Sequence, residues 1–183
     1  MCSRPRQAAA QRGFSMIEIL ISLLITAFGL LGLAAFASKS TAMGVDATQR
    51  ARAAALLSDM ASRVANNKPN AALYASAAVQ GASVQACVAG ATPAQVVARD
   101  LCEWGNLLAG ANDAGTTANA AFLGFRGCVT QPNALDPVFV ITVAWGSLSP
   151  GIPPADGCAA NAFGDDSQRR IIRSQVRVAT LTL

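Results

Sequence analysis

The chain has 183 residues, of which 52% are hydrophobic and 13% charged, a balance that argues against wholesale disorder and allows one modest domain with an appendage. The net charge of +4 hints at an anionic partner, but Arg4, Arg6 and Arg12 all precede the apolar block, and without them eleven basic residues face ten acidic ones with no basic stripe, which argues against nucleic acid. There is no histidine, which removes Ser-His-Asp and Cys-His catalysis and histidine-based zinc sites together.

Residues 1–13 carry three arginines and no acid. From Ile19 to Ser38 there is no charge at all, and a helix of that length rises about 30 Å, enough to cross a bilayer. Arginines ahead of the run place the N-terminus in the cytoplasm and export the residues C-terminal to the run. An ordinary secretory signal would be cut after Ala35-Phe36-Ala37, an A-x-A site. Glu18 favours a retained helix instead. A carboxylate beside an apolar run is costly, and a disposable export signal gains nothing from it.

Gly13-Phe14-Ser15-Met16-Ile17-Glu18 resembles the class III signal of type IV prepilins and type II secretion pseudopilins. The resemblance implies cleavage by a prepilin peptidase between Gly13 and Phe14 and N-methylation of Phe14. It makes Glu18 the acid that pairs with a neighbouring subunit's N-terminal amine during assembly. Such a pair relieves two charges in low dielectric at once. Cys2 precedes the apolar run and leaves with the leader, which is a poor match to a lipoprotein signal.

Helical character continues beyond Lys39. No Gly or Pro interrupts 46–66, and Ala53, Leu56, Leu57, Met60 and Val64 fall on one face. Arg52, Asp59 and Arg63 share another, and Asn66, Asn67 and Pro69 give the stop. The expected helix runs from about Phe14 to about Asn66, apolar all round in its first half and amphipathic in its second. This divides the chain into a leader (1–13), a transmembrane half-helix (14–38), an amphipathic half-helix (39–68) and a globular head (69–183). No proline lies between Met16 and Lys68, a departure from major pilins that suits a minor subunit.

In the head, residues 70–92 are rich in Ala, Gly, Ser and Gln and read as loop. Thr92-Pro93-Ala94-Gln95 reads as a capping box that opens a second helix with Val97, Leu101, Trp104 and Leu108 on one face, ended by Gly110. A Gly/Asn/Thr loop over 110–120 comes next, then strands over 122–130, 138–145 and 171–181. Phe139, Ile141, Val143 and Trp145 alternate toward one side, as do Ile172, Val176 and Val178, with Arg173, Gln175 and Arg177 outward. Trp104 and Trp145 are core residues by this periodicity. Residues 146–168 form a loop rich in Pro, Gly and Asp. The expected fold is α+β, a small antiparallel sheet with one further helix and the amphipathic half of the first helix on one face.

Cys87, Cys102, Cys128 and Cys158 are an even set in an exported head and imply two disulfides. Three connectivities are open. Cys87–Cys102 with Cys128–Cys158 is preferred, since each joins an element to its adjoining loop. The spacing contains no C-x-x-C, which argues against a metal site. Asp156, Asp165 and Asp166 crowd one loop and offer oxygen to calcium, but their spacing is not that of an EF-hand and such acids are usually solvated. No G-x-S-x-G or P-loop is present, so no catalytic residue, cofactor or metal is expected.

More of the chain resembles the minor pilins called PilV, or type IV pilus modification protein. The segments that carry it are IEILISLLITAFGLLGLAAF, RAAALLSDMASRVANN, TPAQVVARDLCEWGNLLAG, ITVAW and VRVATL. The resemblance implies the type IV pilin fold and a non-enzymatic subunit that helps start or cap type IV pili. The implied partners are other minor pilins, the major pilin, the inner-membrane assembly platform and a tip adhesin. The implied location is the inner membrane, head in the periplasm, and then the fibre. A pseudopilin of type II secretion shares the leader chemistry, and a membrane-tethered periplasmic enzyme or binding head is the third possibility.

Overall fold

A computed structural model of the chain describes residues 13–111 and 124–179. The first helix, α1, spans Met16–Asn66. After it come a 3-10 segment, Lys68–Tyr74, the strand β1, Ser76–Gln80, and the helix α2, Pro93–Leu108. Strands β2, Arg126–Thr130, β3, Val138–Gly146, and β4, Arg169–Arg177, complete the sheet. The chain divides into two compact units between Met43 and Gly44, and each is taken by itself.

In the first unit α1 is apolar on every side. Fourteen large apolar side chains between Phe14 and Phe36 are more than half exposed. Covering a Leu, Ile or Phe is worth about 1.5–3 kcal/mol each, so this surface is stable only against lipid or other apolar helices. Two hydroxyls of its apolar run are already satisfied: Ser22 Oγ donates to the Glu18 carbonyl and Thr26 Oγ1 to the Ser22 carbonyl, both at 2.7 Å. In lipid, where an unmade hydrogen bond is expensive, that back-bonding removes the cost of two polar side chains.

The second unit is an α+β head. Its sheet has the order β1-β2-β3-β4, antiparallel throughout. On one face Phe139, Ile141, Val143 and Trp145 of β3 line up with Ile172 and Val176 of β4 and Val129 of β2. Against them pack Ala53, Leu57, Met60 and Val64 of α1 and Val97, Trp104 and Leu108 of α2. Strand period 2 and helical spacing thus meet in one core, as the apolar pattern predicts. Two glycines are demanded by this packing. A Cβ on Gly127 would sit 2.1 Å from the Trp104 ring, and Gly81, at φ +89°, ends β1 where a Cβ would lie 2.6 Å from Leu108.

The other face of the sheet is covered too. Cys128, Ala144 and Ile171 pack under Cys158, Ala159 and Phe163 of the loop between β3 and β4. No periodic apolar pattern in the loop announces that cover.

Residues 70–92 correct the sequence reading in part: they contain most of the 3-10 turn and all of β1. Ser76–Gln80 is poor in β-branched and aromatic residues, and it becomes a strand because β2 offers it a pairing edge, Ser76 to Val129 and Gln80 to Gly127. The strand expected over 122–130 starts at Arg126, with 122–123 outside the described residues. The strand expected over 171–181 runs instead from Arg169 to Arg177, and 180–181 lie outside the described residues. The loop over 110–120 lies outside them beyond Ala111. The capping box at Thr92 is present in both halves, and Gly110 adopts a positive φ of 84° just past α2.

Candidate processing and assembly site

Gly13, Phe14 and Ser15 precede α1 in non-helical backbone, exposed throughout. The Ser15 carbonyl accepts from the Glu18 and Ile19 amides at 3.0 and 3.3 Å and so starts the helix. The peptide bond after Gly13 is therefore open to an enzyme. A Cβ on Gly13 would meet nothing within 4 Å, so this fold places no demand for glycine there, and any such demand comes from outside the chain. Glu18 lies in the first turn, where the helix dipole favours an acid. Its side chain has no partner among the described residues, and it is the sole acid of a helical stretch that stays uncharged to Lys39.

The head holds its cysteines in two bonds. Cys87 and Cys102 are joined with Cα atoms 5.6 Å apart, and Cys128 and Cys158 with Cα atoms 5.9 Å apart. The first ties the irregular segment before α2 to that helix. The second pins the β3–β4 loop to the sheet.

The three loop acids are not simply solvated. Asp156 Oδ1 accepts from the Cys158 amide at 2.8 Å, and Asp165 Oδ1 from the Ser167 amide at 3.0 Å. Asp166 grips Arg169 with both oxygens, from Nε at 2.6 Å and from Nη2 at 2.9 Å. The remaining donors of Arg169 reach the carbonyls of Pro154, Asp156 and Cys158. The guanidinium is 2% exposed and every one of its N–H groups is used. Hydrogen bonding to Arg169 holds the Asp166 carboxyl down at about 2 and raises Arg169 above its ordinary value. The loop is thus wrapped around a cation that the chain itself supplies. Arg126 adds a further tie, its guanidinium 5.8 Å from the Phe163 ring centre, and its pKa is lowered by burial.

A second polar network lies where α1 meets α2. Arg63 pairs with Asp59 at 3.0 Å on its own helix and with Asp100 and Glu103 of α2 at 3.4 and 2.9 Å. Burial works to lower the pKa of Arg63, but bonds to Glu103 and Asp59 outweigh it and the net shift is upward. The buried Tyr74 donates to Asp100 Oδ2 at 2.5 Å. Burial, reinforced by Asp100, pushes its phenol up to about 12. Sequence spacing shows the Asp59–Arg63 pair and none of the rest, since the partners lie 26 to 40 residues away. Trp104 is fully buried and donates to the Leu56 carbonyl at 2.9 Å. Trp145, 5% exposed, leaves its N–H without a partner among the described residues.

The family model of the prokaryotic N-terminal methylation motif matches residues 8–34, which contain Gly13, Phe14, Glu18 and most of the apolar run. No curated protein and no solved structure matches the chain. The match makes residues 8–34 a prepilin-type signal of the type IV pilin-like kind, and the long apolar helix, second helix and four-stranded antiparallel sheet are consistent with a type IV pilin-like α+β fold. A signal of this kind suggests a structural subunit, not an enzyme, and implies membrane anchoring, processing by a prepilin peptidase and assembly partners of the pilus type.

Proposed function

We propose that the chain is a minor pilin of the PilV kind that takes part in starting or capping type IV pili. The observation that carries the reading is the methylation motif at 8–34, which runs into a helix whose apolar surface is left uncovered among the described residues. In this reading the peptidase cuts between Gly13 and Phe14, and Phe14 is then methylated on its new amine. The subunit waits in the inner membrane with its head in the periplasm. On assembly it leaves the bilayer, and its apolar helix exchanges lipid for the helices of other minor pilins and the major pilin. The inner-membrane platform drives that step, and a tip adhesin is a further partner.

Glu18 supplies the register. A carboxylate entering an apolar bundle is expensive alone and inexpensive beside an ammonium, so the lowest-energy position of the helix sets Glu18 against a neighbour's Phe14 amine. A helix displaced by one turn leaves both charges unpaired. The mass of the mature protein tests the processing step: it should begin at Phe14 with one added methyl, whereas a start at Ser38 would make the helix a discarded export signal. Glu18→Ala should leave cleavage intact and reduce recovery of the subunit in sheared pili several-fold. Unchanged recovery would remove the charge pairing from the mechanism.

The methylation motif supports a pseudopilin of type II secretion as well, because the leader chemistry is shared. Deleting the gene separates the two: loss of surface pili supports the first, and loss of secreted enzymes with normal pili supports the second.

A further inference from the structure

The two disulfides of the head stand in different surroundings. Cys128 and Cys158 are 8% and 7% exposed and lie in one cluster with Phe163 and Ala159. Cys87 and Cys102 are only half-buried, and the residues on either side of Cys87, 82–86 and 88–89, are exposed. The sulfurs of Cys87–Cys102 are also unequal. Asn106, one turn after Cys102 in α2, holds the backbone of Gln85 by two bonds. The Gln85 amide donates to Asn106 Oδ1 and Asn106 Nδ2 donates to the Gln85 carbonyl, both at 2.8 Å. The same Nδ2 lies 3.3 Å from Cys87 Sγ and offers it the second N–H of the side-chain amide. No donor reaches Cys102 Sγ among the described residues. The Gln85 carbonyl oxygen stands 3.7 Å from Cys87 Sγ and 3.9 Å from Cys102 Sγ, so it does not tell them apart. Glu103, beside Cys102, has its charge met by Arg63 and Arg99.

We propose that Cys87–Cys102 is a redox-sensitive tie that an external dithiol opens in the folded head by attack at Cys102, while Cys128–Cys158 stays closed. In the first step a thiolate of the dithiol bonds to Cys102 Sγ. The bond between Cys102 and Cys87 breaks, and its electron pair stays on Cys87 Sγ, where the Asn106 N–H meets the new charge. A sulfur stabilised in this way is the better leaving group. The second thiol of the dithiol then loses its proton and attacks its own partner sulfur in the mixed disulfide. Cys102 leaves as a thiolate, the dithiol becomes a disulfide, and its two protons end on Cys87 and Cys102. Asn106 keeps its hold on Gln85 throughout. The open form therefore holds both thiols near one anchor, and the reverse exchange with a disulfide closes the same pair again. Opening frees the stretch 86–89, which includes Val88 at 80% exposure, while Trp104 and Leu108 of α2 stay in the core. The tie does not depend on the assembly role proposed above.

The test adds dithiothreitol to the full chain in detergent micelles, without denaturant and with Cys2 alkylated beforehand, and maps the freed thiols by alkylation and mass spectrometry. Cys87 and Cys102 should be labelled about tenfold faster than Cys128 and Cys158 or more, with hydrogen exchange in β2 and β3 unchanged. Glutathione carries a single thiol, so an acid quench stops its exchange at the mixed disulfide. It should be found on Cys102, with the free thiol on Cys87, about fivefold or more over the reverse arrangement. Asn106→Asp keeps the acceptor for the Gln85 amide and removes the donor to Cys87, so this preference should fall toward parity. A role of Asn106 in packing alone would change the rate of opening and leave the preference as it was. The proposal is overturned if the two disulfides open together or only in denaturant. It is equally overturned if glutathione settles evenly on Cys87 and Cys102, or if Asn106→Asp keeps the full preference.

Discussion

The two faces of the sheet are covered by different physics. On the helix face, large apolar side chains from α1, α2, β3 and β4 interlock, with Trp104, Tyr74, Met60 and Leu108 fully buried. On the loop face the apolar cluster is small, with Phe163 and Ile171 its large members among the described residues. There the cover is held by a disulfide, by Arg169 with all its donors engaged, and by Arg126 against Phe163. A segment too short and too irregular to present a hydrophobic stripe can still close a sheet face, provided covalent and charge-assisted bonds replace the missing apolar area.

Removing the centre of the loop face should therefore have the largest effect. Arg169→Ala leaves the Asp166 carboxylate and three carbonyls without the donors that hold them, and the melting temperature should fall. Hydrogen exchange should accelerate across 147–168 while amides of α2 stay protected. Millimolar guanidinium ion, far below denaturing levels, should restore part of the protection by refilling the site. Equal loosening of α2 and the loop would mean that the two covers are one cooperative unit and that the contrast fails.

The helix face offers an internal comparison between its two tryptophans. Trp104→Phe and Trp145→Phe remove the same atoms from the same core. Only the first breaks a hydrogen bond, that to the Leu56 carbonyl, and the second removes a buried donor that has no partner among the described residues. In urea unfolding Trp104→Phe should be the more destabilising by about 1–2 kcal/mol. Equal losses would place a water on the Trp145 N–H in solution.

What was legible in the sequence divides along the same line. The α1 stripe, the Thr92–Gln95 box and the alternation of β3 are local patterns, so periodicity and capping chemistry expose them. The processing motif is legible for the same reason, being six contiguous residues ahead of an apolar run. The strand β1 is not, because its alanines carry no strand signal and its pairing partner lies some 50 residues on. Arg169 is not either. In sequence it is one of two adjacent arginines after a charged turn, and nothing local tells the buried one from its neighbour. Its role arises only when the β3–β4 loop folds back and brings carbonyls from 154, 156 and 158 around it.

The smallest effect separates the two faces most cleanly, at the two extremes of pH. On the loop face the Asp166 carboxyl sits at about 2, below its ordinary value of 3.8. Between these values the unfolded chain binds the proton and the folded one resists it, so the contribution of Asp166 is complete above about pH 4 and is lost as pH falls toward 2. On the helix face the Tyr74 phenol is raised to about 12 from 10. There the unfolded chain releases its proton first, so the contribution of Tyr74 is complete below pH 10 and is lost as pH rises toward 12. Acid should thus raise hydrogen exchange first in 147–168, and alkali should raise it first around the 3-10 turn and α2. Asp166→Asn should flatten the acid limb and Tyr74→Phe the alkaline limb, each leaving the other in place. If either substitution flattens both limbs, the sheet transmits the loss from one face to the other and the covers are not independent.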